Sequence, residues 1–361
     1  MVERVRLAIA GAGIAGTAAA LTAAQAGASV VLLGPPPTGG DRPGESLSVS
    51  AGGVMAELGL TELVKAGPHR PNLVTHAAWG LPVLAQRHAM MHPEGGGFVL
   101  DRPAFEKGLA GRVEDAGIPW LRASVVSAVP ASGNGWAMTL SDGTRLAADF
   151  VIGCTGRAAI IARRHARPFR ADRLVAAYGF LSRSDSEVEP TAATLIEAVE
   201  NGWWYASLLP DERLSLAFFS DPDLLPRGLS RDVGLWQELA DETRFIRRWL
   251  ESATFEMAAP PRLASAATTW LAPAAGEAWA AAGDAACAFD PLSSHGIATA
   301  LWTGRKAALG AIAALGGDEA PLRTYSETLA GAVTDFLLQR ARIYGAERRW
   351  PQAPFWARRQ R

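Results

Sequence analysis

The sequence predicts an α/β fold in which a domain with a parallel sheet is interlocked with a domain built on an antiparallel sheet. Three observations lead to this expectation. A short apolar strand runs straight into a glycine-rich turn and an alanine-rich helix within the first 33 residues. A second strand–turn–helix unit of small residues lies far downstream, at about 278–315. Between them, short apolar segments separated by turn residues at 194–220 are typical of an antiparallel meander.

Composition bounds the class of protein. The chain has 361 residues, 49% of them hydrophobic, and a net charge of −1. This apolar content suffices for a large core and excludes a disordered chain, while near-neutral charge argues against a nucleic-acid binder. Two cysteines do not make a disulfide framework, and no apolar run reaches the roughly 20 residues of a membrane span. We therefore expect a cytoplasmic protein with one large or two interlocked domains.

The first element is the strand Val5–Ala10, which leads directly into a G-x-G-x-x-G turn and a helix. In this order the motif is the dinucleotide-binding fingerprint of a Rossmann-like domain. Gly11 permits the tight turn, Gly13 lets the backbone approach a pyrophosphate, and Gly16 lets helix and strand pack closely. The helix start adds free N–H groups and a partial positive charge. The expected cofactor contacts of this turn are Gly11, Gly13, Ile14, Ala15 and Gly16.

One part of the fingerprint is missing. An acidic residue usually follows the second strand and binds the adenosine ribose, but Gly34 stands at that place here. Either Asp41 or backbone groups substitute for it, or the ribose is held loosely. The turn alone does not distinguish FAD from NAD.

The second strand–turn–helix unit favours FAD. Asp284, after Gly283, stands at a strand end, where a carboxylate can accept hydrogen bonds from polyol hydroxyls such as those of a ribityl chain. Gly296 begins a helix, where the backbone can approach a flat ring and the helix dipole stabilises negative charge. The alternative is an ordinary strand–loop–helix in which glycine serves only the turn.

Together these segments resemble the class A flavoprotein monooxygenases, and most of all the branch with the flavin-dependent halogenases and geranylgeranyl reductases. The downstream segment is similar to the second FAD motif of this branch. Further similar segments are the G-E-S loop at 42–47, the arginine segment at 101–105, the C-T-G-R turn at 154–157 and the G-W-W-Y strand at 202–205. The resemblance implies a para-hydroxybenzoate-hydroxylase-like fold. It also implies FAD contacts from Arg42, Glu45, Ser46, Arg102, Gly283, Asp284, Pro291, Gly296 and Ile297.

Within the branch, the sequence is most similar to flavoproteins that hydroxylate a peptidyl tryptophan during tryptophylquinone cofactor biogenesis. The similar segments are D-P-L-S-S-H-G at 290–296, G-W-W-Y at 202–205 and the arginine- and tryptophan-rich stretch at 347–359. The resemblance implies O₂ as co-substrate and electrons from NAD(P)H or a separate flavin reductase. It implies a flavin C4a-hydroperoxide that hydroxylates an indole ring, and a partner protein or peptide that carries the target tryptophan.

The domain boundaries follow from these motifs. We expect an FAD-binding domain at 1–75, 98–160 and 266–315, and a substrate domain at 76–97 and 161–265. The remainder, 316–361, is expected to form a C-terminal helical segment with a basic tail. From residue 340 onward it holds seven arginines and a single acidic residue, Glu347. This tail is either a solvated helix face or a docking surface for an acidic partner.

Three residues are candidates for catalysis. His295 lies in the loop expected at the isoalloxazine edge, and its pKa range suits proton handling; the alternative is a structural histidine that bonds the loop. Glu45 is placed by the resemblance to line the same pocket, with a surface or helix-capping carboxylate as the alternative. Asp290 either caps the following turn or positions water, and capping is the favoured interpretation. Glu197 is a weaker candidate for proton transfer, with a structural salt bridge as its alternative.

The substrate pocket is expected to be aromatic, with Trp79, Trp203, Trp204 and Tyr205 as its candidates. Alternation along a strand allows only Trp204, or Trp203 with Tyr205, to face the pocket. No metal site is expected, because the spacing of His76, His88 and His92 lacks a helical context with a carboxylate.

Four alternatives to an indole hydroxylase stay open: a small-molecule aromatic hydroxylase, a flavin halogenase, an FAD-dependent reductase of a lipid-like substrate and a non-catalytic FAD-containing assembly factor. The halogenase is disfavoured because no lysine occurs between Ala66 and Glu106, where that family carries its halogenating lysine. Trp79 stands near the corresponding place.

Overall fold

The computed structural model describes residues 3–88, 96–131, 135–185 and 187–360; His92, considered above as a metal ligand, lies outside these ranges. In the described residues the helices are α1 (Ile14–Gln25), α2 (Gly52–Glu57), α3 (Thr61–Lys65), α4 (Arg102–Asp115), α5 (Val233–Asp241), α6 (Phe245–Ser252), α7 (Gly296–Leu315), α8 (Ala320–Ala346) and α9 (Pro354–Ala357). None of them has the length and apolar content that a membrane span requires.

The strands of the same ranges are β1 (Glu3–Ala10), β2 (Val30–Leu33), β3 (Ser46–Leu47), β4 (Arg70–Pro71), β5 (Val74–Ala78), β6 (Ala85–His88), β7 (Phe98–Val99), β8 (Trp120–Leu121), β9 (Val125–Pro130), β10 (Trp136–Leu140), β11 (Arg145–Gly153), β12 (Arg167–Arg170), β13 (Val175–Arg183), β14 (Thr194–Val199), β15 (Gly202–Leu208), β16 (Leu214–Ser220), β17 (Phe255–Glu256), β18 (Arg262–Ser265), β19 (Thr269–Ala272), β20 (Ala275–Gly276), β21 (Trp279–Ala281) and β22 (Cys287–Ala288).

A parallel sheet forms the centre of the first domain, with the order β21-β11-β1-β2-β8. The carboxyl-terminal halves of its central strands β1 and β11, and all of β2, are apolar and share a buried core with helices α1, α4, α7 and α8. Strands β10 and β11 form a hairpin across the Asp142-Gly143 turn, with antiparallel register. The sequence-based assignment of an α/β fold with a Rossmann-like first half is confirmed.

The two strand–turn–helix units lie side by side, although about 270 residues separate them in the chain. A Cβ atom on Gly304 of α7 would lie 2.2 Å from the backbone oxygen of Ala15 in α1. Only glycine therefore allows the two helices to approach this closely. The close packing brings the turn at 283–285 next to the glycine-rich turn after β1.

The second sheet has the order β17-β13-β16-β15-β14-β5-β6, with β18 beside β13. The predicted antiparallel meander is present as β14, β15 and β16. The pairing of β14 with β5 is parallel, however, so the sheet is mixed and not purely antiparallel. One face packs against α5 and α6, and the other packs against the loop after β22 and the end of the chain.

Residues 344–360 do not form a free basic tail. Tyr344, Phe355 and Trp356 are buried and pack against Trp203 on the second sheet. Large aromatic side chains bury enough area to hold such a segment in place. The predicted solvated tail is therefore wrong for these residues.

Four of the seven arginines of the C-terminal segment are neutralised within the chain. Arg340 pairs with Asp172 and Asp290, and Arg349 pairs with Glu347. Arg358 binds Asp221 and Asp223, and Arg359 binds Asp221 from a buried position. Among the described members of the set, only Arg342 and Arg348 are exposed without an ion pair.

The Arg359–Asp221 pair is the anchor whose loss we expect to cost most. Its side chains are 2% and 4% exposed, and the shortest contact is 2.6 Å. Breaking one partner of such a pair leaves an uncompensated buried charge. Replacing Arg359 by Met should therefore lower the free energy of unfolding by about 3 to 5 kcal/mol, measured by chemical denaturation.

Arg358→Met is the matched control, because Arg358 binds the same carboxylate but is 46% exposed. It should cost under about 1 kcal/mol. Burial opposes ionisation of Asp221, but Arg359 and Arg358 hold its pKa below the ordinary value. The stabilisation is thus present above the ordinary carboxyl pKa of about 4 and is lost as the pH falls through the lower folded-state pKa. Equal losses in the two variants would contradict this assignment.

Candidate FAD site

The turn after β1 has the shape that a phosphate-binding backbone requires. Gly11 has φ +114°, and a Cβ there would lie 2.2 Å from the backbone oxygen of Cys154. A Cβ on Gly16 would lie 1.7 Å from the backbone oxygen of Gly11. Gly13, in contrast, has open space around its Cβ position, and no side chain caps the start of α1, which begins at Ile14. The free N–H groups there can therefore meet an anion.

The absence of an acidic residue after β2 has a steric cause. Gly34 has φ +140°, and a Cβ there would lie 2.9 Å from the backbone nitrogen of Ala12. No other side chain fits without moving the fingerprint turn. Asp41 is also engaged: both its carboxylate oxygens accept hydrogen bonds from Arg213, at 2.7 and 2.8 Å, which lowers its pKa. Asp41 is therefore not free to bind a ribose, which leaves backbone groups or a loosely held ribose.

The second FAD motif lies beside this turn. Gly283 has φ +61°, a Cβ there would lie 2.8 Å from Ala15, and its N–H donates to Thr303 at 2.8 Å. The side chain of Asp284 is 47% exposed and lies 3.5 Å from Arg157. Burial of this concave position raises the pKa of Asp284, against the opposing charges of Arg157 and Arg102. Its carboxylate is placed to accept hydrogen bonds from a polyol.

The segment with Arg102 lies beside the G-E-S loop and close to Asp284. Arg102 donates to the backbone oxygen of Gly44 and pairs with Glu106. Its Nε is buried and has no hydrogen-bond partner among the described atoms. Arg42, by contrast, is half exposed and lies 3.8 Å from Glu106. Ser46 belongs to β3 and pairs with Val99, so its backbone fixes the loop. An orphaned donor here fits a ligand rich in oxygen atoms.

Asp290 holds the loop that leads into α7. One carboxylate oxygen accepts the N–H of Leu292 at 3.1 Å, and the other accepts the hydroxyl of Tyr344 at 2.8 Å and Nε of Arg340 at 3.1 Å. Burial raises the pKa of this carboxyl, and the charge of Arg340 opposes the shift. The contacts favour the capping role over a catalytic one.

At the start of α7, His295 is the N-cap residue, and its ring makes no hydrogen bond within the described residues. Burial lowers the pKa of His295, so the neutral imidazole predominates at pH 7. Gly296 is exposed, with open space at its Cβ position, whereas Ile297 is buried in the core and Pro291 is half-buried. The backbone of Gly296 is thus open to a flat ring, while Ile297 only anchors the helix.

Glu45 occupies the junction of the two domains. Its side chain is buried; Oε2 accepts the N–H of Gly44 at 3.1 Å, and Oε1 has no partner among the described atoms. Tyr205 of the second sheet lies against it, next to Ser207 and Thr194. Burial, and then the Glu45 charge, raise the pKa of Tyr205 well above its ordinary value. A carboxylate and a neutral phenol therefore face each other beside the cofactor loop.

The aromatic candidates divide between the two faces of the second sheet. Trp204 is wrong as a pocket residue, because it is buried on the far face against Phe218 and Trp236. Trp203 is on the near face, as alternation allows, but it is 1% exposed and donates to the hydroxyl of Tyr344. Tyr205 is the strand residue that reaches the junction.

Trp79 also packs on the near face. Its Nε1 donates to the backbone oxygen of Ile343 at 2.8 Å, and its ring contacts Trp203, Tyr344 and Trp356. It therefore locks α8 onto the sheet. Glu197 likewise has a structural role, since it accepts three backbone N–H groups at the start of α6. No group of metal-ligating side chains occurs in the described ranges.

Two residues of the junction, Arg157 and Arg213, were not identified from the sequence. Arg157 pairs with Asp284, and Arg213 binds Asp41, but each partner lies more than 100 residues away. The C-T-G-R turn was the available signal for Arg157. For Arg213 no local signal exists, because Asp211-Glu212-Arg213 indicates only a charged turn.

Substitutions of Gly13 and Gly16 distinguish an effect on FAD binding from an effect on folding. Gly13→Ala should leave the thermal unfolding of the FAD-free protein unchanged, because the new methyl group meets only open space. It should weaken FAD binding by about tenfold or more, because the methyl group blocks approach of the pyrophosphate. Flavin fluorescence titration measures the affinity.

Gly16→Ala is the contrasting variant, since its methyl group would collide with the Gly11 backbone. It should lower the unfolding temperature of the FAD-free protein itself. A Gly13→Ala protein that binds FAD as tightly as the wild type would exclude this turn as the phosphate site.

Comparison with known proteins agrees with this geometry. The model of the FAD dependent oxidoreductase family matches residues 7–173. The FAD-dependent oxidoreductase LodB of Marinomonas mediterranea is 26% identical over 296 residues, which are 80% of this chain and 78% of that protein.

Solved structures show the same fold. The myxobacterial chondrochloren halogenase CndH has a TM-score of 0.88 at 21% identity, covering 99% of this chain and 86% of its own. The peptidyl tryptophan dihydroxylase QhpG has a TM-score of 0.79 at 23% identity, covering 99% and 79%. The flavin-dependent halogenase CmlS has a TM-score of 0.87 at 22% identity, covering 100% and 68%. Together with the glycine turns described above, these comparisons show that residues 7–173 are similar to FAD dependent oxidoreductases and that the chain has the fold of the halogenase-like flavoproteins.

Proposed function

We propose that this chain is an FAD-dependent monooxygenase that hydroxylates an indole ring, the side chain of a tryptophan in a partner protein or peptide. The peptidyl tryptophan dihydroxylase among the similar structures supports the choice of substrate. The near face of the second sheet supports it as well, because a phenol and a buried carboxylate meet there at the edge of an aromatic cluster.

The position of the lysines is the observation that favours a hydroxylase over a halogenase. The chain has only Lys65, Lys107 and Lys306, and all three are exposed on the outer surfaces of helices α3, α4 and α7. Trp79, near the place of the halogenating lysine, is packed against the C-terminal helix. No amine is therefore available inside the substrate domain to carry an activated halogen.

The residues of the site fit FAD. The backbone at Gly11 and Gly13 would hold the pyrophosphate, Asp284 and Arg102 the ribityl and phosphate oxygens, and Gly296 the ring edge. Bound and reduced, FAD supplies the activation of O₂ for oxygen transfer. Electrons come from NAD(P)H or from a separate flavin reductase.

The side chains of the chain itself would manage protons and water. Glu45, with its free Oε1, would accept the proton that leaves the indole carbon on hydroxylation. Tyr205, kept neutral by burial and by Glu45, would donate a hydrogen bond to the substrate side. The Asp290–Arg340–Tyr344 network fills the space behind the loop and excludes water there.

Mass spectrometry of the partner tests the proposal. The chain, FAD and a reductase are incubated with candidate partner proteins, namely amine dehydrogenases and amino-acid oxidases that carry a tryptophan at the cofactor position. A tryptophan heavier by the mass of one or two oxygen atoms is expected. Added bromide should leave the product unchanged; replacement of a ring hydrogen by bromine would mean a halogenase. Release of peroxide with an unmodified partner would contradict both functions.

Glu45→Gln tests the proposed base. The amide preserves the shape of Glu45 and can still accept the N–H of Gly44, so FAD affinity should stay within about twofold. Hydroxylation should slow by about 10²-fold or more, because proton transfer to a positioned base contributes 10²- to 10⁴-fold. Single-turnover kinetics measure the rate.

The control is Glu62→Gln, a carboxylate exposed in the first turn of α3. This substitution should change neither the affinity for FAD nor the rate of hydroxylation. A Glu45→Gln enzyme with the wild-type rate and pH profile would remove Glu45 from the mechanism.

A further inference from the structure

A groove of about 500 Å³ lies on the second domain, apart from the residues of the FAD site. Its floor is apolar, with Val175, Leu225 and Leu263, and Leu263 is 48% exposed. Three arginines, Arg170, Arg173 and Arg227, line the same groove. A contiguous apolar surface rimmed by cationic side chains is typical of a binding site.

The three arginines have no carboxylate of their own, although Arg358 and, more weakly, Arg173 lower the pKa of Asp223. Each is exposed, and none forms an ion pair or a side-chain hydrogen bond within the described residues. The nearby carboxylates are already in use, since Asp223 binds Arg358 and Asp172 binds Arg340. The groove therefore keeps a positive charge that the C-terminal arginines have lost. An acidic ligand would complement it.

The groove also has a free strand edge. Strand β18 contributes Leu263, Ala264 and Ser265 to the lining and pairs with β13 on one side. Within the described ranges, no strand pairs with its other side. Unpaired backbone groups on such an edge can bind an extended peptide, while side pockets read alternate residues. This geometry favours a peptide over a compact small anion.

The groove is linked to the flavin loop through ion pairs. Arg173 follows Asp172, which lies 3.0 Å from Arg340, and Arg340 lies 3.1 Å from Asp290. A partner bound in the groove would thus contact Arg173, the neighbour of Asp172, and Asp172 is joined through Arg340 to the loop before α7.

We propose that this groove binds an acidic, extended segment of the protein whose tryptophan is hydroxylated, laid along β18. The inference rests on the proposed function for the identity of the partner. It also moves the docking surface for an acidic partner, which the sequence suggested for the C-terminal tail, to Arg170, Arg173 and Arg227.

The test uses the full-length, FAD-loaded protein and a fluorescein-labelled ten-residue peptide of alternating Glu and Val, free of tryptophan. Fluorescence anisotropy should show binding that weakens with salt, and a peptide with Lys in place of Glu should bind far more weakly. The triple variant R170E/R173E/R227E should bind the acidic peptide at least about tenfold more weakly. Hydrogen exchange should slow at 262–265 when the peptide is bound.

The charge-matched control is R163E/R164E/R248E, three exposed arginines outside the groove. It should bind the acidic peptide within about twofold of the wild type. Equal losses in both triple variants, or equal binding of the acidic and basic peptides, would overturn the proposal. Single-stranded RNA that binds as tightly, with the same dependence on the three arginines, would also overturn it, because the site would then be a general polyanion site.

A second assay separates this inference from the proposed function. Hydroxylation of a short tryptophan peptide without acidic residues should proceed equally in the wild type and in the groove variant. If the wild type binds the acidic peptide but hydroxylates no tryptophan, the groove stands and the monooxygenase proposal fails. If hydroxylation occurs and the acidic peptide does not bind, the monooxygenase proposal stands and the groove proposal fails.

Discussion

The buried carboxylate of Asp290 is the point on which the arrangement of the molecule depends. It accepts bonds from its own loop, from Tyr344 and from Arg340, so one side chain ties the cofactor loop to helix α8. Arg340 reaches on to Asp172 at the start of the second domain. A buried charge is tolerated only where partners surround it, and here the partners come from the loop itself and from α8. Through Arg340, the same network joins the FAD-binding half to the start of the second domain.

The cofactor half of the molecule could be predicted from sequence because its signals are local. A strand, three glycines at fixed spacing and a helix restrict the backbone within about 30 residues, and Gly11 and Gly16 prove to be sterically required. The Gly283-Asp284 turn was recognisable for the same reason. Its contact with Ala15 follows once both units are known to flank one parallel sheet.

In the second domain and the C-terminal segment, contacts between residues that are distant in the chain could not be predicted from the sequence. Alternation showed that Trp203 and Trp204 face opposite sides, but not which side α5 and α6 would cover. From the sequence, the C-terminal arginines could be described only as an excess of positive charge. Their partners Asp172, Asp221 and Asp223 lie more than 100 residues earlier in the chain, so no local pattern predicts the ion pairs. Glu197 showed no sign of being a helix cap, because α6 begins 48 residues later.

The docking of residues 344–360 has a consequence for how the protein matures. These residues are made after every strand of the sheet that they cover, so Trp203 and its neighbours stay uncovered on the ribosome until the segment emerges. During that interval the nascent sheet exposes an apolar face that favours association with chaperones or with other nascent chains. The final arrangement of the flavin loop, which needs Arg340 and Tyr344, is likewise assembled late, so the FAD-binding turn near the start of the chain exists before the loop that closes around the cofactor.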